Sequence, residues 1–248
     1  MPELPEVETY GRYFARHALK RRIERVDVRD ERILGEIRKD AFTRRLRGRT
    51  FTRVRRHGKH LFIDANGVWL HLHFGMTGDL AFYRDVRKEP RFARVVFEFD
   101  DGSHLAFEDM RLFGVVDLID DPDAFIAAHR LGRDPLDPKF GADDFRELVR
   151  KRRGAIKAQL MSQALVAGLG NLYVDETLYE TGINPKRSVE KLKDAEVRAV
   201  FETMRRIVRK PDRRLPREEG ERCPKCGGTI KRAVVAGRTT YFCGKHQK

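Results

Sequence analysis

Cys223-Pro224-Lys225-Cys226, then sixteen residues, then Cys243-Gly244-Lys245-His246, is the stretch that decides how the second half of the chain is built. Two C-x-x-ligand knuckles separated by a hairpin-length insert close a tetrahedral site. Zn²⁺ takes four sulfur or nitrogen ligands in structural sites and holds together small domains that lack a core of their own. Gly227, Gly228 and Gly237 permit knuckle and hairpin turns, while Ile230, Val234, Val235, Tyr241 and Phe242 supply a thin apolar face. The expectation is one structural Zn²⁺ held by Cys223, Cys226, Cys243 and His246, in a zinc β-hairpin finger over residues 216–248. The chain has 3 cysteines in all, an odd and clustered set that suits a metal better than a disulfide framework. His246 lies near the end, where fraying is usual.

Upstream of the finger, residues 142–209 carry helical patterns. Before them, Leu131-Gly132-Arg133-Asp134-Pro135-Leu136-Asp137-Pro138 is punctuated by two prolines and a glycine, which predicts a linker over 129–141. From residue 23 to residue 119 the period is two: Val68, Leu70, Leu72 and Phe74 alternate with Trp69, His71 and His73. Val95, Phe97 and Phe99 face Leu105 and Phe107 across Asp101-Gly102, a dipeptide that favours the type I′ hairpin turn. Residues 5–19 place Val7, Tyr10, Phe14 and Ala18 at helical spacing, so a helix should lie on this mostly antiparallel sheet structure. The class is α+β, with domains over residues 1–128, 142–215 and 216–248.

Composition narrows the partners. The 248 residues hold 40% hydrophobic and 36% charged side chains, too apolar for general disorder and too interrupted by charge for a membrane span. A net charge of +14 sets up a positive field suited to a polyanion, so nucleic acid is the expected partner and a membrane is not. The first thirty residues contain no apolar run of the secretory type, which predicts a cytosolic protein.

Met1-Pro2-Glu3-Leu4-Pro5-Glu6-Val7-Glu8 reads locally as a helix start, since proline and acidic side chains both suit a helix N-terminus. It also has a chemical reading. The small residue after Met1 favours methionine removal, which exposes a secondary amine at Pro2 that titrates near neutrality and is a usable nucleophile. Glu3 and Glu6 then stand beside it for acid/base work. Together with Arg56-His57-Gly58-Lys59, His73-Phe74-Gly75-Met76-Thr77-Gly78, Asp109-Met110-Arg111-Leu112-Phe113-Gly114, Ile156-Lys157 and Gly168-Leu169-Gly170-Asn171, this opening resembles the formamidopyrimidine-DNA glycosylase and endonuclease VIII family, its formamidopyrimidine branch in particular.

The resemblance runs from Pro2 to Lys248 and implies an N-terminal antiparallel β-sandwich with a flanking helix, a helix-two-turns-helix domain and the zinc finger. It implies a monomeric bifunctional glycosylase and AP lyase of the bacterial cytosol and nucleoid, acting on double-stranded DNA with damaged bases or abasic sites. By the resemblance Pro2 is the nucleophile, Glu3 assists base departure, Lys59 contacts phosphates beside the lesion and Glu6 supports the lesion pocket. Met76, Arg111 and Phe113 match the triad inserted where the base leaves the stack; Lys157, Asn171 and Arg238 match phosphate contacts. Three departures stand out. His246 replaces a cysteine ligand, Leu112 and Arg94 replace basic and histidine positions, and the interval from Phe201 to Cys223 lacks the glycine-rich loop that folds over an everted 8-oxoguanine in typical bacterial members.

Overall fold

Apolar residues at helical spacing turn one face of α1 (Leu4–Ala18) inward, and Val7, Phe14 and Ala18 are almost fully buried. The computed structural model describes residues 2–248, in two compact units that divide between His129 and Arg130. In the first unit α1 is followed by β1 (Ile23–Val28), α2 (Lys39–Leu46), β2 (Arg53–His57), β3 (His60–Asp64) and β4 (Trp69–His73). Then come β5 (Gly78–Tyr83), β6 (Ala93–Phe99), β7 (His104–Asp109), β8 (Val115–Ile119) and α3 (Pro122–Ala128). The strands pair antiparallel in two four-stranded sheets of order β1-β6-β7-β5 and β2-β3-β4-β8. Val95, Phe97 and Phe107 from one sheet share a core with Leu61, Ile63, Leu70 and Leu72 from the other, which makes the expected sandwich. α1 joins this core through Phe14, edge-to-face with Phe51 at 5.0 Å.

Two local features differ from the sequence reading. Period-two alternation usually leaves one sheet face wet. Here Trp69 and His71 are only 8% and 4% exposed, because Phe125 of α3 lies 4.4–5.5 Å from the rings of His60, Phe62 and His71, and Arg53 covers Trp69 at 4.8 Å. Asp101-Gly102 does not form a type I′ turn either. Of the residues between β6 and β7 only Gly102 has positive φ (+73), and Phe99 N–H bonds Ser103 O while Gly102 N–H bonds Phe99 O, both at 2.9 Å. The loop is therefore three residues long, a turn followed by a left-handed glycine. Asp101 is recruited away from the turn, accepting from Ser103 N–H at 3.0 Å and pairing with Arg21.

The second unit contains α4 (Ala142–Arg150), α5 (Ile156–Met161), α6 (Asn171–Thr181), α7 (Asp194–Arg209), β9 (Ile230–Val235) and β10 (Arg238–Cys243). The stretch expected as a linker is packed instead. Phe140 is fully buried with its ring 5.3 Å from Phe201, and Gly132 and Arg133 make backbone bonds to Gln163 and Ala167. Prolines and a glycine here shape a fitted strap. Residues 210–222 are tied down as well: the Glu176 carboxylate accepts Arg214 N–H and Leu215 N–H at 3.0 and 3.1 Å, and Arg217 donates to Leu172 C=O at 3.1 Å. Among the described residues no helix is long and apolar enough to cross a membrane.

Candidate active site and metal centre

Pro2 lies half-buried at the head of α1, directly before the helix cap Glu3, which is 3% exposed. Glu3 N–H donates to the Glu6 carboxylate at 3.0 Å, so Glu6 closes the first turn and fixes the backbone that carries Pro2. Met1 lies outside the described residues. One turn further on, Glu8 accepts from Arg56 Nε at 2.8 Å, and Arg56 also donates to Gly58 C=O at 3.1 Å. Arg56 thus braces the β2–β3 turn against α1. Gly58 supplies the positive φ (+57) at the first place of that two-residue turn, which leaves Lys59 at its tip.

The wedge candidates sit on two crossovers at one end of the sandwich. Residues 74–77 pass from β4 in one sheet to β5 in the other, and residues 110–114 return from β7 to β8. Both crossings present apolar tips: Met76 is 41% and Phe113 53% exposed, with Arg111 stacked over the Phe113 ring at 4.8 Å. Met110, 55% exposed beside them, is an apolar tip that the sequence reading did not single out. The crossings touch backbone to backbone, because Gly75 has φ +54 and a Cβ there would lie 2.3 Å from the Phe113 carbonyl.

In the second unit the loop entering α6 is organised by a residue the motif reading passed over. Gln163 accepts Gly168 N–H at 2.9 Å and donates to Leu169 C=O at 2.7 Å. Asn171 begins α6 and donates to Thr239 C=O at 2.9 Å, which ties the helix start to the hairpin that carries Arg238. Arg238 is exposed beside a type I′ turn in which Ala236 and Gly237 both have positive φ (+50 and +71).

Lys157, expected to face phosphate, does not do so. It is fully buried on α5, with Nζ 2.7 Å from Asp175 Oδ1 and 2.6 Å from Thr240 Oγ1. A basic residue at a helix start reads as a surface cation, but here it is the counter-ion of a buried carboxylate. Burial pushes the Asp175 carboxyl up, opposed by the Lys157 ammonium and by Arg217. The pair latches α5 and α6 to β10.

The metal site forms as the spacing requires. Ligand atoms of Cys223, Cys226, Cys243 and His246 all lie within 4.8 Å of one another. Cys223 Sγ is 3.3 Å from His246 Nδ1, Cys226 Sγ is 3.5 Å from Cys243 Sγ and 3.8 Å from His246 Nδ1. These are edges of a tetrahedron around an ion bound at about 2.0–2.3 Å. His246 Nε2 sits 3.0 Å from Tyr179 C=O, a hydrogen bond that leaves Nδ1 for the metal. The end of the chain is not frayed: Gln247 bonds Cys243 N–H and Ile183 C=O, and Lys248 exchanges backbone bonds with Gly182 and Asn184. The donor set and its closed geometry make this one structural zinc site.

Three family models cover nearly the whole chain. They are the formamidopyrimidine-DNA glycosylase N-terminal domain over residues 1–116, the helix-two-turns-helix domain of the same enzymes over 131–212, and the zinc finger found in them and in isoleucyl-tRNA synthetase over 220–245. Formamidopyrimidine-DNA glycosylase of Heliobacterium modesticaldum is 35% identical over the full length of both chains. That of Desulforamulus reducens is 34% identical over 100% of this chain and 99% of its own. Among solved structures, the Lactococcus lactis enzyme bound non-covalently to DNA with an abasic site matches at TM-score 0.93 and 28% identity, covering 99% of each chain. A MutM complex with DNA containing carbocyclic 8-oxoguanine matches equally well, at TM-score 0.93 and 28% identity over 100% of both. With its sandwich, helical unit and zinc finger each accounted for, the chain belongs to the formamidopyrimidine-DNA glycosylase family and is a DNA glycosylase of base excision repair.

Proposed function

We propose that this chain is a bifunctional glycosylase and AP lyase that acts on double-stranded DNA as a monomer in the bacterial cytosol. The observation that carries the reading is the head of α1, where Pro2 stands next to a buried Glu3 on a backbone fixed by Glu6. After Met1 is removed, the Pro2 amine attacks C1′ of an everted nucleotide. The N-glycosidic bond breaks, its electron pair leaves with the base, and a proton delivered with help from Glu3 neutralises the departing base. The sugar ring opens to an iminium, loss of a C2′ proton expels the 3′ phosphate, and a second elimination expels the 5′ phosphate. Glu6 supports the lesion pocket, Lys59, Asn171 and Arg238 hold phosphates, and Met76, Arg111 and Phe113 fill the vacated stack. Lys157 has no place among the phosphate contacts. The test is borohydride trapping on an abasic oligonucleotide: a covalent adduct is expected from the mature protein and none from Pro2→Gly. No adduct from the parent would defeat the reading.

For the substrate, the short interval before the zinc finger favours formamidopyrimidines and further-oxidised hydantoins or oxidised pyrimidines over 8-oxoguanine. Arg214, Leu215 and Arg217, in the middle of this interval, are bound to α6 at Glu176 and Leu172, which supports a segment too short to cap an everted purine. The alignment with the Heliobacterium enzyme spans 277 positions whereas this chain has 248 residues, so that relative carries segments that are missing here. Excision rates on defined duplexes decide the matter, and a strong preference for 8-oxoguanine would sink it.

A further inference from the structure

We propose that Asp109 is a positioning residue that holds the two wedge-bearing crossovers as one body, so that Met76, Arg111 and Phe113 enter the base stack together. The inference rests on the wedge reading of those three side chains. Asp109 is fully buried at the end of β7, opposite Gly78 at the start of β5. Its Oδ1 accepts the Thr77 hydroxyl from the first crossover and Arg111 N–H, at 3.1 Å, from the second. Its Oδ2 accepts Gly114 N–H at 2.7 Å, and Arg111 N–H also reaches Thr77 Oγ1 at 3.2 Å. From the neighbouring strand, Arg94 Nε donates to the Asp109 carbonyl at 2.8 Å.

A buried carboxylate is tolerated only while hydrogen bonds satisfy it. Displacing either crossover would strip Asp109 of a donor, so the two loops hold each other through it. The contact of Gly75 with the backbone of Phe113 and Gly114 removes the remaining slack. The tips themselves are too exposed to be oriented by their own packing: Met76 is 41% and Phe113 53% accessible. Their spacing therefore comes from beneath, from the carboxylate. An everted base leaves a gap of fixed size, and it falls back unless the gap is filled. A wedge whose parts move independently fills it poorly, and displacements of about 1 Å at a reacting centre can lower rates on the order of 100-fold.

The experiment compares two substrates. On a duplex holding a damaged base, Asp109→Asn is expected to slow base removal roughly 10- to 100-fold and to delay the rise in fluorescence of a 2-aminopurine next to the lesion. Thr77→Val, which removes only the hydroxyl joining the crossovers, should slow it by about 5-fold. On a single-stranded abasic oligonucleotide there is no stack to enter, and borohydride trapping by both variants should stay within about 2-fold of the parent. Equal losses on both substrates would overturn the proposal by showing that Asp109 acts on the whole site, and so would an unimpaired rate on the duplex. If Asp109→Asn loses its cooperative thermal transition, Thr77→Val alone carries the comparison. A parent that traps no abasic strand removes the bifunctional reading, and the inference falls with it; a parent that traps normally while both variants match it on the duplex removes the inference alone.

Discussion

The two units present side chains at hairpin and crossover tips on supports of opposite kind. In the first, α1 and both sheets share one large apolar core, and the tips depend on that core plus a single buried carboxylate, Asp109. In the second, the hairpin with Arg238 rests on a small cluster of Tyr179, Leu215, Cys223, Ile230 and Cys243, two of which are metal ligands. Apolar area removed from water contributes only about 25 cal/mol per Å², so a cluster this thin needs covalent-strength help. Zinc provides it, and the Lys157–Asp175 pair fixes how α5 and α6 meet β10. The contrast teaches that loss of one polar group should leave the sandwich folded with its tips misplaced, whereas loss of one metal ligand should unfold the zinc hairpin that carries Arg238.

Metal removal should break the comparison most widely open. Structural zinc contributes on the order of 10–16 kcal/mol to folding in small fingers. Chelation, or Cys243→Ala, should therefore abolish exchange protection of amides in β9 and β10 while those of β3 and β4 keep theirs. Hydrogen exchange followed by mass spectrometry reads both at once, and uniform loss across the chain would show that the two supports are not independent. The buried pair comes next. Lys157→Met leaves Asp175, 0% exposed at its side chain, without its nearer cation and with only Arg217 at 3.6 Å, at an expected loss of about 3 kcal/mol in urea unfolding. Adding Asp175→Leu should restore much of that loss, because an apolar pair needs no desolvation. A loss below about 1 kcal/mol for Lys157→Met would place the pair with surface ion pairs and outside the latch.

Which of these features the sequence discloses depends on how far apart the partners are. The zinc knuckles, α1 and the helical stretch over 142–209 are local patterns, and each formed close to where it was expected. The wedge positions were legible through family resemblance, but their support was not: Asp109, at the end of β7, meets Thr77 of the first crossover from 32 residues away. Lys157 shows the same limit more sharply. Ile156-Lys157 at a helix start looks like a surface cation, and only its partners Asp175, 18 residues on, and Thr240, 83 residues on, reveal it as buried. Asp101-Gly102 favours the two-residue turn by propensity, yet Arg21 and Ser103 draw the aspartate into a longer one. Gln163 carried no signal beyond its place before a glycine-rich loop.

The smallest effect tests the sandwich itself, through the face that α3 covers. His60 Nδ1 lies 2.9 Å from His71 Nε2, and His73 is next to His60 across the strand pair. Burial, then the neighbouring histidines, hold His60 down to about 2 and His71 to about 3; burial and then Lys59 also lower His73. All three are neutral in the fold at pH 7, and so are their unfolded counterparts above about pH 6.5. Stability from this cluster is thus fully present above that pH. Below it the unfolded chain gains protons that folded His60 and His71 refuse, and each of those two removes about 1 kcal/mol per pH unit. Urea midpoints of the zinc-loaded protein should therefore fall between pH 7 and pH 5 more steeply than those of His71→Phe, which keeps a ring against Phe62 and Phe125 but no longer titrates. Identical slopes for the two proteins would show that the histidine face takes up protons without unfolding, and would remove the distinction between a rigid sandwich and a metal-dependent hairpin on that side of the molecule.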